Sequence, residues 1–426
     1  MIGTMTIPSS RIVVFALACA ASSFALTASP NDKPQGWASQ GGGTTGGAGG
    51  WVDTATTISE LQTLAKKTGK GIIYIKGTMG NAGSKTTKGG DRIVPTADKS
   101  FLGLPGATIK GGFDIKVSNI VIRNLAVWGP GAYDIDGNDP IHIEGTGAKN
   151  IWIDHCLVSD GQDGNLDITN GANYVTVSWT KFSYTSLSSN HQYCNLIGSS
   201  ASKTSDKGFL KTTMINNYWA DGVVERMPRV RFGEVHVVNN LIKTNTSNYA
   251  VRAGQEANIL VEKNLYVGTK NPINIFTDES GQMVKVTSDN VFKNTSGTKA
   301  GINDSKVFTP PYTLTGLLDP AGLEATVGDA ANGAGPTIDS WSTSALRSEP
   351  GVPSGARLDR MGSTWTLSNA SSAPMTLEIR SLDGRRLGNT VTLAAGQSFA
   401  LAAERTARFV NIKSASGTQV VTVPGL

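Results

Sequence analysis

The sequence is short of histidine, cysteine and charge, and each shortage removes a class of function. Its 426 residues include four His and three Cys. None of these sits in a metal-ligand spacing, which argues against a zinc enzyme. Three cysteines are also too few for a disulfide scaffold. Cys19 lies in the N-terminal segment, so Cys156 and Cys194 remain, either as one disulfide or as two buried thiols. Charged residues are only 17%, and the net charge of +5 is spread along the chain. With no Lys/Arg block interleaved with aromatics, nucleic acid is not an expected partner. Long apolar runs are also missing, apart from Ile12 to Ala21 after Arg11. That run is too short to span a bilayer. With small residues following at Ala25 and Ala28, it reads as an export signal over residues 1–28. The mature chain is therefore expected to be secreted, with no membrane partner.

Glycine is abundant, at 50 residues. That balance suits an all-β architecture with many tight corners. The chain also carries a degenerate octet, apolar at alternate positions. It begins at Ile120, Ile151, Val175, Thr212, Val235, Ile259 and Val284, in steps of 31, 24, 37, 23, 24 and 25 residues. A period in the low twenties with alternating strands is the pattern of a stacked β-solenoid, in which coils share one core that none could bury alone. The two long steps identify coils with inserted loops, the usual builders of a binding face. Recurrent Asn124, Asn216, Asn239 and Asn264 are expected to stack as a hydrogen-bonded ladder. Thr57 to Glu60 has capping-box spacing, followed by apolar Ile58, Leu61 and Leu64, which predicts an N-terminal capping helix. Gly41 to Gly50 reads as a flexible lead.

From about Asp329 the composition turns to Gly, Ser and Pro, which is linker chemistry. Beyond it, TWTLSN, MTLEIRSLDG, NTVTLAAG, QSFALAA and TARFVNIKSA alternate apolar and polar residues between turns. The expected organisation is a leader at 1–28, a solenoid at 29–335, a linker at 336–353 and a small antiparallel β module at 354–426. Capped solenoids need no second copy, so a monomer is expected.

Asp139 and Asp163 each precede an octet by 12 residues. Equal offset predicts one column, with the carboxylates about 4.8 Å apart along the solenoid axis. Carboxylates that close repel unless one is protonated or a cation lies between them. Asp163, Asn165 and Asp167 are expected to face outward while Leu166 and Ile168 face the core. Oxygen ligands without His or Cys suit a hard cation, calcium rather than zinc. Asp136 is a further contributor to consider. Before the octet at Val235, Arg226, Arg229 and Arg231 fall within six residues. Burying all three would be costly, so at least two should face out, where guanidinium groups hold carboxylates bidentately.

WIDHC at Trp152, DGNLDITNGANYVTVSW from Asp163 and RMPRVRFG from Arg226 closely resemble the signatures of the pectate lyase superfamily. GGGTTGGAGG and HVVNNL from His236 fit it too, and the likeness covers roughly residues 36 to 330. The resemblance implies a right-handed parallel β-helix that binds Ca2+ and depolymerises polygalacturonate by β-elimination. It matches Asp139, Asp163 and Asp167 to calcium-binding acids, and Arg226 to the arginine that removes the C5 proton. It matches Arg231 to a substrate-binding arginine; Arg229, between the two, is expected to hold substrate as well. An arginine base implies an alkaline optimum, because a guanidinium normally stays protonated. Asp154 and His155 of WIDH are implied to be structural. Where the family commonly carries a lysine before LIG, this sequence has Tyr193; either another group such as Lys203, Lys207 or Lys211 takes its place, or that subsite is weaker. A pectin lyase acting on methyl esters, or a non-catalytic carbohydrate-binding solenoid, is the rival reading. The three acids together with the arginine strand argue against both.

Overall fold

The computed structural model describes residues 27–341 except 136, 137 and 245, and residues 356–423 except 362–363, 370, 382–389, 402–407 and 415–416. Asp136, most of the leader and residues 342–353 of the linker lie outside the described residues.

The octets are equivalent strands of successive coils. Ile151 pairs with Ile120, Val175 with Ile151, Thr212 with Val175, Val235 with Thr212, Ile259 with Val235 and Val284 with Ile259, all in parallel. They belong to a ten-stranded sheet, and parallel sheets of nine and eight strands form the other two walls. The alternate apolar residues of each octet point inward. Ile151, Ile153, Val175, Val177, Val235, Val237, Ile259 and Val261 are all fully buried in one continuous core. Each such side chain contributes about 1.5–3 kcal/mol by leaving water, so the core grows with every coil.

Three N-terminal coils show no recognisable octet. Their strands are Trp51–Ala55, Gly71–Ile75 and Lys99–Gly103. Lys99 takes a core position; its side chain is fully buried, and Nζ donates to Gly69 O, Ala97 O and Thr96 Oγ1. The helix Ile58–Lys66 caps this end. Its N-cap Thr57 Oγ1 accepts the Glu60 N–H, and Glu60 accepts the Thr57 N–H in return. Leu61 and Ala65 bury against the first coil.

Gly41 to Gly50 is not a flexible lead. It belongs to a strap, begun by the turn Gly36–Ser39, that lies across the ten-stranded sheet. Asn119 Oδ1 accepts the N–H groups of Thr45 and Gly46, and Asn150 Nδ2 donates to Gln40 O. A Cβ on Gly47 would stand 1.9 Å from Gly71 O. The missing side chain therefore serves close approach, not mobility.

The Asn ladder also differs from the expectation. It runs through Asn217, Asn240, Asn264 and Asn290, each carboxamide oxygen accepting from the coil before it. Asn124, Asn216 and Asn239 instead turn corners with φ of 58°, 56° and 58°. In each Asn-Asn pair the first residue takes the left-handed corner, where Asn is tolerated, and the second faces inward. Asn240→Ala would strand the Asn217 N–H, leave Asn217 Nδ2 only its bond to Val177 O, and take the side-chain donor from the Met214 carbonyl. Chemical denaturation should show a loss of about 3–5 kcal/mol; a loss below about 1 would make the ladder incidental.

Cys156 and Cys194 are separate buried thiols, and burial pushes the Cys156 thiol up to about 12. Asp154 of WIDH receives Arg123 Nε, Ser178 Oγ and His155 Nδ1 at 2.7–2.8 Å. Burial opposes its charge, but His155 and Arg123 hold it below the ordinary carboxylate range. Part of the stretch assigned to the linker, residues 336–341, packs on the solenoid. Ser340–Trp341 pairs in parallel with Thr27–Ala28, Asn124 Oδ1 accepts the Ile338 N–H, and Trp341 Nε1 donates to Gly103 O. Two large apolar side chains, Ile338 and Trp341, outweigh the polar composition there. The C-terminal residues form antiparallel sheets of three and four strands. Leu377, Leu393, Leu401 and Val410 lie in their separate core.

Candidate active site

The acids lie where the long loop of one coil meets the eight-stranded sheet. That sheet pairs Ile141 with Leu166, Ile143 with Ile168 and His142 with Asp167. The register sets Asp139 opposite Gly164, so Asp163 is one residue out of the expected column. The cause is a turn of unequal length: Ile141 precedes its octet by 10 residues and Leu166 by 9. Leu166 and Ile168 face the core as expected. Asn165 does not face outward with the acids; it is fully buried, accepts the Gly161 N–H and donates to Ser183 O.

The close approach is therefore between Asp139 and Asp167. A Cβ on Gly164 would stand 2.9 Å from Oδ1 of each. Asp139 is 2% exposed, and its Oδ1 has no hydrogen-bond partner. Asp167 Oδ1 accepts the Leu196 N–H at 3.0 Å. Burial raises Asp139 well above the ordinary carboxylate range, and Asp167 and Asp163 raise it further. Burial also raises Asp167, to about 7, against the opposing pull of Arg226 and the Leu196 N–H. Two buried carboxyls held against their charge, one with an orphaned oxygen, form a donor set that a hard dication would satisfy. Asp163 is half-buried, its Oδ1 lying 3.0 Å from His191 Nε2.

The arginines stand on later coils of the same sheet. Ile168 pairs with Ile197, which sets Asp167 beside Leu196; Leu196 then pairs with Arg229, Arg229 with Arg252 and Arg252 with Asn274. One outward column thus runs from Asp167 to Arg229 and Arg252 at about 4.8 Å per coil. Arg226 has a left-handed φ of 62°, and its Nε is buried without a partner. Its guanidinium carbon lies 4.9 Å from the centre of the Tyr193 ring. Arg229 also has an unpartnered buried Nε, and burial, then Arg231 and Arg226, lower its pKa. Arg231 is the most committed of the three. Its Nε and Nη2 grip Glu279 at 2.8–3.0 Å, and its Nη1 donates to Gly198 O and Ser199 O.

Lys207 and Lys211 are engaged by Glu256 and Glu234, at 2.8 and 3.0 Å. Lys203 precedes the turn Thr204–Asp206. Three residues of the site went unnoticed in the sequence. Arg252 pairs with Arg229 on the next coil but precedes its octet by 7 residues where Arg229 precedes its own by 6, so equal offsets miss it by one. His191 lies inside the long 37-residue step. Glu279 is 48 residues beyond Arg231 and carries no local signal.

Comparisons with known proteins point to one family. A family model described as pectate lyase matches residues 10–313. A pectate lyase of Emericella nidulans is 34% identical over 259 residues, covering 58% of this chain and 72% of that one. Pectate lyase A of Aspergillus niger is 32% identical over 325 residues, covering 74% and 92%. A solved structure described as a pectate lyase bound to hexasaccharide matches with TM-score 0.57 at 26% identity, covering 74% of this chain and all of that one.

Proposed function

The chain belongs to the pectate lyase family and is a pectate lyase, and from that premise we propose that it cleaves α-1,4-polygalacturonate by calcium-assisted β-elimination outside the cell. The C5 proton of a uronate leaves and the C4–oxygen bond breaks as the C4–C5 double bond forms; one fragment carries the 4,5-unsaturated end, and the departing oxygen takes a proton from water to become the hydroxyl of the other. The observation that carries the calcium part is the convergence of Asp139 and Asp167 on Gly164, with an orphaned oxygen on Asp139.

Asp139, Asp163 and Asp167 would hold the ion. Bound there, calcium would neutralise the uronate carboxylate and so stabilise the charge that develops as the proton leaves. Arg226 takes the C5 proton; its Nε is committed to no hydrogen bond within the protein. Arg229 and Arg252, on adjacent coils of one column, bind carboxylates of successive sugars. Arg231, braced by Glu279, shapes this wall and leaves little of its guanidinium for substrate. The catalytic unit is the solenoid, whose described residues run from the Thr27–Ala28 strand to its partner Ser340–Trp341, and it acts as a monomer. In support, the helix Ile58–Lys66 covers its first coil, and the Val284–Ile302 bridge closes over its last. The small β module receives no role.

The test is formation of unsaturated product from polygalacturonate, with and without EGTA. Chelation should abolish turnover; full activity in EGTA removes calcium from the reading, and no product at all removes the substrate. A second readout follows from the raised Asp167. In the chelated protein the folded state binds more protons than the unfolded one between the ordinary carboxylate range and about 7. Its stability therefore falls as pH rises through that window. Calcium must displace that proton at low pH, so the melting shift it produces should be larger at about pH 8 than at about pH 5. An equal shift at both would show that the ion binds elsewhere.

A further inference from the structure

His191 brings a nitrogen donor to the edge of an otherwise all-oxygen site, and calcium-assisted chemistry has no use for it. The imidazole stands between carboxylates from two different coils. Nδ1 lies 2.9 Å from Asp134 Oδ1, and Nε2 lies 3.0 Å from Asp163 Oδ1. The three candidate ligand atoms all fall within 4.8 Å of one another. The ring is fixed by Tyr193, with centroids 4.1 Å apart, and by a backbone held at φ 53°.

Asp134 is placed to accept the Nδ1 proton, which leaves the lone pair on Nε2. Nε2 is buried, and no hydrogen bond is aligned with it despite the nearby carboxylate. A nitrogen and a carboxylate oxygen about 3 Å apart, with no proton aligned between them, stand as neighbouring ligands do around one ion with bonds of about 2.0–2.2 Å.

Calcium takes oxygen ligands. Imidazole with carboxylates suits first-row transition ions, and a carboxylate behind the ring is their usual support. We propose that His191 Nε2 and Asp163 hold a divalent transition ion of the Co2+, Ni2+ and Zn2+ group. Asp134 is its positioning residue. Occupancy withdraws Asp163 from calcium, so such an ion competes with calcium and inhibits. Only this competition rests on the calcium reading; the nitrogen site stands on its own geometry.

The metal-stripped full chain is titrated with Co2+, followed by calorimetry and by its visible absorption, and separately with Ca2+. In His191→Ala the Co2+ affinity should fall by more than about 10-fold and its absorption should change, while Ca2+ affinity stays within about 3-fold; Asp134→Asn should weaken Co2+ by roughly 10-fold. Unchanged Co2+ binding and absorption in His191→Ala overturns the site. Co2+ that excess Ca2+ cannot displace overturns the sharing of Asp163. Co2+ binding through His191 without any Ca2+ binding sustains this site and defeats the calcium reading. If His191→Ala fails to fold, Asp134→Asn carries the test, because Asp134 is largely exposed.

Discussion

Arg226→Lys is expected to lower turnover of polygalacturonate by roughly 10³-fold, the scale of a lost general base, while the fold and the calcium affinity persist. Lysine keeps the positive charge that opposes the raised pKa of Asp139 and Asp167. It removes the planar fork whose Nε is buried and unpartnered beside Tyr193. An ammonium on a flexible stem cannot reproduce that fixed direction. The loss should fall on kcat with KM nearly unchanged, because Arg229 and Arg252 still hold the sugar carboxylates. Product formation kept above about a tenth of the parent rate would assign the base to another group. A parallel rise in KM would make Arg226 a binding residue.

Gly164→Ala should weaken calcium by roughly 10- to 100-fold, as disturbing a ligand's support does. Gly164 is not in the left-handed region, so alanine adds no backbone strain there. Its Cβ would stand 2.9 Å from Oδ1 of both Asp139 and Asp167, closer than such atoms pack. The carboxylates must part, and Asp167 can move only by disturbing its bond to Leu196. Activity at low calcium should collapse and return in part when calcium is raised. Calorimetry giving the parent affinity would show that the ion does not use these two oxygens. Without calcium the variant should melt near or above the parent, since separating the acids relieves their repulsion.

The coils were legible from Ile120 onward because octets that begin with an apolar residue announce a shared core. Before that the pattern fails for a physical reason. Lys99 occupies an inward position and is accommodated by three oxygen acceptors supplied by the chain around it, a solution no hydropathy pattern encodes. The strap at Gly41 to Gly50 was misread because glycine signals freedom in a sequence, whereas here it permits contact with Gly71 and Lys70. The site was legible as residue types and misjudged by one position. Offsets counted back from an octet assume equal turns, and the shorter turn after Leu166 moved the partner of Asp139 from Asp163 to Asp167 by way of Gly164. Glu279 was beyond reach because only the closed solenoid brings it against Arg231.

The amide ladder also governs where this molecule can be altered. It begins at Asn217, and in the same column the earlier coils carry Leu125, Cys156 and Thr180. Downstream of Asn217 the coils run 23, 24 and 25 residues, whereas the lengths of 31 and 37 both lie upstream. Asn217 itself accepts the Thr180 N–H across the 37-residue coil, whereas each amide-to-amide rung after it spans a short one. The ladder thus acts as a metronome for one half of the solenoid and leaves the other free to vary its rhythm. Asp139, Asp163 and His191 all sit in the freer half, and Arg226, Arg229 and Arg252 in the paced one. New specificities, natural or engineered, would then be written by lengthening the acid side while the arginine side keeps time.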